Sequence, residues 1–316
     1  MRYILRSDAS PVQGVGHVLR SLAIFQELNA RGCEIIFVGN IENLPWVEEK
    51  VKQTGFRNLV DNEYFFLNNP QTDILILDSY VIDPKSSFVE KTKWKKIVTI
   101  VDEFTPSYFS DLIVRPSIST LPTSLVGTTV LSGPNYFPLR SEIKKSNRNN
   151  SHQSVFSVVV VGGGTDVANF ASTISFILEK SSIEMSVTFI TEKPAKIAID
   201  NRFTTLPPGL EVEKTLSMAD LAFTTASTSA IEFIAREIPV GVACAVPNQE
   251  DYYQVLPNNG VAVQIGRMNG KNWELYENVI LDLLVNHSKQ MELRDNMKGV
   301  FDLKGASRIV DEILKL

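Results

Sequence analysis

Short apolar runs alternate with stretches of helix length along the whole chain. Arg2 to Arg6 reads as a strand. His17 to Arg31 reads as a helix, because Val18, Leu22, Phe25 and Leu28 recur at helical spacing and Gly32 supplies a stop. Glu34 to Val38, Asp73 to Asp78, Ile97 to Val101, Asp111 to Val114 and Thr129 to Leu131 follow as strands. The stretch Ser141 to Ser154 is polar, lacks an apolar period and reads as a linker. The alternation then restarts with a strand, Val155 to Val161, a loop, Gly162 to Asp166, and a helix. Met185 to Ile190, Leu221 to Thr224, Val240 to Ala243 and Val261 to Ile265 are the later strands. Two to three helices close the chain from about Trp273 to Leu316. Continuous apolar runs of this kind suit parallel strands covered on both faces.

The pattern predicts an α/β protein of two Rossmann-like domains facing a cleft. The expected boundaries are 1–147 and 148–303. The last helix, 304–316, carries Ile309, Ile313 and Leu314 on one face and is a candidate to complete the first domain. A linker near Ser146 to Ser154 would let the domains close over a ligand. Open α/β sheets bind ligands outside the carboxyl ends of their strands, so the loops there are the places to look for chemistry.

Composition narrows the class. Of 316 residues, 44% are hydrophobic and 21% charged, which is ordinary globular usage and excludes a disordered chain. Lysine plus arginine number 31 and aspartate plus glutamate 36, a net charge of −5 that argues against general nucleic-acid binding. No apolar run approaches the roughly 18 to 20 residues of a membrane span, and MRYILRSDAS lacks a signal-peptide core. Cys33 and Cys244 sit far apart in apolar surroundings and read as two buried thiols. The expectation is a monomeric cytoplasmic protein.

The loop after the first strand runs Asp8-Ala9-Ser10-Pro11-Val12-Gln13-Gly14-Val15-Gly16-His17-Val18-Leu19-Arg20. Gly14 and Gly16 permit a tight turn or a close backbone approach, and free N–H groups at the following helix start can hold an anion. Leu19 occupies the place of a third glycine, so the dinucleotide pattern is not met. The other two histidines, His152 and His287, lie in polar stretches, which makes His17 the candidate general base. Arg20, one turn on, could meet an anion or pair with an acidic neighbour. Asp78 and Asp102 end predicted strands, and either could orient His17, bind sugar or cap a turn.

In the second half, Thr224-Thr225-Ala226-Ser227-Thr228-Ser229-Ala230-Ile231-Glu232 opens a helix expected over Ser229 to Glu237. Ser227, Thr228 and Ser229 form a second candidate phosphate cradle. Glu232 could accept ribose hydroxyls or reach back to Ser229 as a capping box. The amides of Asn248 and Gln249 could bond sugar hydroxyls or cap the next helix. No Asp-x-Asp pair and no histidine pair at metal-ligand spacing occurs, so neither a metal nor a cofactor is expected.

Taken in order, RSDASPVQGVGHVLRSLA, Asp78-Ser79-Tyr80, Ser132 to Arg140, VVGGGTDVANF, TTASTSAIEF and PNQEDYY resemble one family: the UDP-2,4-diacetamido-2,4,6-trideoxy-β-L-altropyranose hydrolases of pseudaminic acid biosynthesis, related to the GT-B glycosyltransferases. The similarity spans nearly the whole chain. It implies a GT-B fold and metal-independent, inverting attack of water on the anomeric carbon of a UDP-sugar. His17 would be the base, with Asp8, Tyr136 and Asn248 as further candidate catalytic residues. Gly14, Val15, Gly16, Arg20, Asp78, Tyr80, Arg140, Gly163, Gly164, Ser227, Thr228, Ser229, Glu232 and Gln249 would bind substrate, Glu232 at the uridine ribose.

Arg115-Pro116-Ser117 and Val101-Asp102-Glu103-Phe104 depart from the family pattern on the acceptor side. They motivate a second reading, a glycosyltransferase passing the sugar to an alcohol or lipid. No apolar or basic cluster stands out near the loop, which counts against it. A non-catalytic UDP-sugar-binding module is a third reading, and the presence of His17 counts against that one.

Overall fold

The computed structural model describes residues 1–58, 72–102, 109–118, 124–125, 128–146, 155–166, 168–209 and 212–316. The chain divides into two compact units, 1–141 with 301–316, and 142–300.

The first unit is built on a sheet of β1 (Arg2–Ser7), β2 (Glu34–Gly39), β3 (Arg57–Asn58), β4 (Ile74–Asp78), β5 (Lys96–Ile100), β6 (Leu112–Arg115), β7 (Ser124–Leu125) and β8 (Thr128–Ser132). Its spatial order is β3-β2-β1-β4-β5-β6-β8-β7. All neighbours are parallel except β7 and β8. The helices are α1 (Gly16–Ala30) and α2 (Pro45–Lys52). The strand order reverses direction between β1 and β4, which makes the loops after these two strands the switch point of the sheet.

Side-chain alternation assigns the two faces. Tyr3 and Leu5 of β1, Ile74 and Ile76 of β4, and Val98 and Ile100 of β5 share one core with Val18, Leu22, Ile24 and Leu28 of α1. Ile4, Leu75, Leu77 and Ile97 pack on the other face with Phe88 and Trp94. A strand continues its two-residue period to its end, so Asp78 extends the helix-facing set of β4 and Asp102 extends that of β5. Arg6 and Asp8 extend the opposite set of β1.

The second unit repeats the plan with β9 (Phe156–Val161), α3 (Phe170–Leu178), β10 (Met185–Ile190), β11 (Phe203–Leu206), α4 (Val212–Ser217), β12 (Leu221–Thr225), α5 (Thr228–Ala235), β13 (Val240–Cys244), α6 (Glu250–Asn258), β14 (Val263–Asn269), β15 (Asn272–Leu275), α7 (Glu277–Val285) and α8 (His287–Met297). The sheet order is β11-β10-β9-β12-β13-β14-β15, parallel except for the β14–β15 hairpin. Here the direction reverses between β9 and β12.

The final helix, α9 (Gly305–Ile313), belongs to the first unit. Ile309, Val310 and Ile313 enter the core beside α1. At the C-terminal end of α1, Arg31 donates to Asp311 at 2.5 Å and to the Ser307 hydroxyl at 2.9 Å. A Cβ on Gly305 would stand 2.1 Å from the Phe137 carbonyl oxygen, so this close approach demands glycine.

Several local expectations are corrected. Trp273 lies in β15, not in a helix, because Gly270 at φ +60° turns the chain between Asn269 and Asn272. The strand expected from Val261 begins at Val263, since Val261 still bonds back to Leu256 at the end of α6. Leu314 is 40% exposed and does not share the buried face of Ile309 and Ile313. Cys33 is half-buried, whereas Cys244 is buried, and both are free thiols. Of the expected linker, residues 142–146 are tied to the second unit: Ile143 is buried and Ser146 donates to the Arg236 carbonyl at 2.9 Å. Residues 147–154, with His152, lie outside the described residues, as do Glu103 and Phe104.

Candidate active site

In the first unit the loops after β1, β4 and β5 meet the start of α1. Gly14 takes φ +84° and its N–H bonds the Ser10 carbonyl at 2.9 Å, folding the loop into the helix. A Cβ there would meet nothing within 4 Å, so glycine answers a conformational need. No side chain caps α1: Val15 holds the N-cap position and is buried in the core, and no acidic residue lies in the first turn.

His17 is 8% exposed and its Nδ1 lies 2.5 Å from Asp78 Oδ1. A carboxylate only accepts, so Nδ1 is the nitrogen that donates to Asp78, and Nε2 is the nitrogen that carries the lone pair when the ring is neutral. Asp78 is fully buried at the end of β4. Its second oxygen accepts Arg20 Nε at 2.6 Å and the Ser21 hydroxyl at 3.3 Å, while Arg20 Nη2 reaches Oδ1 at 2.7 Å. The outer edge of the same guanidinium donates to Asp102, Nη1 to Oδ1 at 2.5 Å and Nη2 to Oδ2 at 3.3 Å. Asp102 also accepts the Tyr80 phenol, and the Tyr80 ring stands edge-on to the imidazole with centroids 4.2 Å apart. Five side chains therefore close a ring: His17, Asp78, Arg20, Asp102, Tyr80.

Charge follows geometry. Burial by itself raises the Asp78 carboxyl, but Arg20 and then His17 outweigh it and hold the group below the ordinary carboxylate value. The same contest, with Arg20 again the chief opponent of burial, holds Asp102 well down. Burial works against the Arg20 charge, and Asp102 and Asp78 overcome it and hold the guanidinium well above its usual value. Tyr80 is raised, first by burial and then by Asp102, so its phenol is a hydrogen-bond donor.

The remaining first-unit candidates fall elsewhere. Asp8 is buried on the face away from His17, where it pairs with Arg6, accepts the Ser79 hydroxyl and receives the Asn40 N–H at 2.8 Å. It braces the ends of β1, β2 and β4. Tyr136 lines a groove with Arg308 and Asp311 of α9 and Leu314 just beyond it. That groove adjoins the C-terminal end of α1, and His17 lies in the first turn of α1, about 20 Å away at 1.5 Å per residue. Arg140 is buried. Arg20 takes the acidic-neighbour reading, with both edges of its guanidinium occupied.

In the second unit the loop after β9 passes close to the end of β12 at the switch point. Gly163 takes φ +82°, and a Cβ on it would lie 3.3 Å from Thr225 Oγ1. Gly164 sits half-exposed in this turn. Asp166 is buried and caps α3 by accepting the Phe170 N–H at 2.7 Å. Ser227 is the N-cap of α5, its hydroxyl accepting the Ser229 N–H at 3.4 Å, with Thr228 and Ser229 following at the helix start. This corrects the expected start at Ser229. Glu232 is therefore the fifth residue of α5, out of reach of a capping box, and lies 3.8 Å from Arg236. Asn248 is exposed in the turn after β13, and Gln249 accepts the Ala245 N–H at 2.8 Å. His287, exposed at the start of α8, lies apart from all these loops in its own neighbourhood of Gln290.

Sequence reasoning had not seen that Val12, Tyr80 and Val81 are exposed, at 91%, 51% and 50%, in the loops after β1 and β4. Nor had it placed Arg115, whose Nε donates to the Asp102 carbonyl at 3.1 Å. Among the described residues no three His, Cys, Asp or Glu side chains are grouped to hold a metal ion, and no helix is long and apolar enough to cross a membrane.

No protein-family model matches the chain. It is 21% identical over 278 residues to the UDP-2,4-diacetamido-2,4,6-trideoxy-β-L-altropyranose hydrolase of Campylobacter jejuni, a match covering 84% of this chain and 99% of that protein. This is the family its motifs resemble. The structure is similar to Acinetobacter baumannii MurG, with a TM-score of 0.67, 14% identity and full coverage of both chains. It is also similar to the S. aureus MnaA–UDP co-structure, with a TM-score of 0.63, 11% identity, and 99% and 95% coverage. The fold is GT-B, with one Rossmann-like sheet in each unit.

Proposed function

We propose that the chain hydrolyses a UDP-activated diacetamido-trideoxyhexose at its anomeric carbon. The observation that carries this reading is the buried His17–Asp78 pair, which leaves Nε2 of the imidazole as the proton acceptor at the mouth of a switch-point loop. The ordered motifs and the Campylobacter relative support the choice of sugar nucleotide, and the MnaA co-structure supports UDP.

In the proposed reaction Nε2 takes a proton from water as the water oxygen bonds to the anomeric carbon. The bond from that carbon to the β-phosphate oxygen breaks, and UDP leaves with its electron pair. Asp78 stabilises the imidazolium that forms. Backbone N–H groups at the start of α5, with Ser227 to Ser229, meet the diphosphate charge, and Glu232 is the residue proposed for the ribose. No cofactor is called on. Asp8, Arg20 and Tyr136 take structural positions in this account, not contacts to the reacting atoms.

Reaction in ¹⁸O-water tests which bond breaks. UDP that carries no label is expected, because its β-phosphate keeps the original oxygen. Label in the UDP would place the attack on phosphorus and overturn the mechanism.

A second reading has one observation in its favour. Exposed Val12, Tyr80 and Val81 flank the His17 loop and could receive an apolar acceptor, as in transfer to an alcohol or lipid. That reading requires UDP release to depend on the acceptor.

A further inference from the structure

We propose that Arg20, clamped between Asp78 and Asp102, is a positioning residue that keeps His17 usable as a base. This rests on the hydrolase reading for its purpose but not for its test.

A buried carboxylate beside an imidazole has two ways to lower its energy. It can accept the Nδ1–H and leave the ring neutral, or it can draw a second proton onto the ring and form an ion pair. The second outcome blocks Nε2. Asp78 is fully buried, so the pull toward the ion pair is strong. Arg20 opposes it. Its Nη2 lies 3.0 Å from His17 Nδ1, and its Nε and Nη2 occupy both oxygens of Asp78. The cation neutralises Asp78 locally and repels a positive imidazole.

Arg20 in turn is held from outside. Asp102 receives its far edge and is anchored by Tyr80 and, through its carbonyl, by Arg115. The planar guanidinium bridges two carboxylates that continue the helix-facing sets of β4 and β5. The charged and titratable groups facing the imidazole are thus Asp78 from β4, Arg20 from α1, Tyr80 from the loop after β4 and Asp102 from the loop after β5. Asp8 and Arg6 of β1 are paired with each other on the opposite face of the sheet.

The two arms of the clamp carry opposite charge, so their removal has opposite sign. Losing Arg20 favours a proton on Nε2; losing the Asp102 charge disfavours it. A merely structural disturbance has no reason to reverse sign between the two.

The test is an NMR pH titration of the imidazole nitrogens of the full chain without substrate, with His17 assigned by comparison with His17→Asn. Asp102→Asn and Arg20→Gln are expected to move the imidazole signal of His17 in opposite directions along the pH axis, the first to lower pH and the second to higher. Arg20→Lys, which restores the charge, is expected to return most of the shift. Asp102 is a third exposed and its amide is isosteric, so Asp102→Asn decides the sign even if Arg20→Gln does not fold. Shifts in one direction for both variants, or no shift in Asp102→Asn, would overturn the proposal. Because no sugar is present, failure of the hydrolase reading appears separately, as absent turnover with the shifts intact.

Discussion

Under the proposed hydrolysis, replacing His17 with asparagine is expected to lower the turnover of UDP-sugar by about 10² to 10⁴ while UDP binding stays near that of the wild type. The asparagine amide can still donate to Asp78, so the buried carboxylate keeps a partner and the loop keeps its shape. What is lost is the Nε2 lone pair. The diphosphate is assigned to backbone N–H groups and to Ser227 to Ser229 of the second unit, none of which depends on the imidazole. Steady-state kinetics with a calorimetric UDP titration separates the two quantities. Near-normal turnover in this variant would remove His17 from the mechanism.

Substituting Asp78 with alanine has the larger effect on the fold. Asp78 accepts from His17, Arg20 and Ser21 in a fully buried position. Its loss leaves the buried Arg20 charge with Asp102 alone, and breaking a buried pair from one side costs about 3 to 5 kcal/mol. Chemical denaturation reads this directly. Asp102→Ala is expected to cost less, since Asp102 is a third exposed and solvent can replace part of its contact. The pH dependence has a definite sign. Asp78 is held below its unfolded value, so its contribution is fully present above the ordinary carboxylate range. It is lost as pH falls through the depressed native value. The acid limb of the wild-type stability curve is therefore steeper than that of Asp78→Ala. Equal midpoints for wild type and Asp78→Ala would show that the His17–Asp78–Arg20 cluster is energetically idle.

Much of the GT-B plan is legible in the sequence because parallel strands buried on both faces leave unbroken apolar runs, as in Ile74 to Leu77 and Val158 to Val161. Hairpins leave weaker marks. The β14–β15 turn carries a weak signal, a two-residue loop of Gly270 and Lys271, and the helical spacing that follows it dominates the window. The start of α5 was misplaced by one residue, since Ser227, Thr228 and Ser229 are all acceptable caps and only backbone geometry chooses among them.

The site was half legible. His17 stands out by rarity and by its loop. Its partner could have been chosen from strand parity: Ile74, Ile76 and Asp78 are one set, and so are Val98, Ile100 and Asp102. The same parity turns Asp8 away. Tyr136 could not be placed from its motif, because its surroundings come from α9, more than 160 residues later in the chain, and long-range packing of that kind leaves no local signal.

The measurement that bears most directly on the proposed activity is a proton NMR time course of the purified chain with UDP-2,4-diacetamido-2,4,6-trideoxy-β-L-altropyranose in buffer containing a chelator and no acceptor. Hydrolysis by His17-activated water gives UDP release accompanied by free sugar that first appears with inverted anomeric configuration. UDP-sugar that binds but stays intact until an alcohol or lipid acceptor is added would contradict it and identify a transferase.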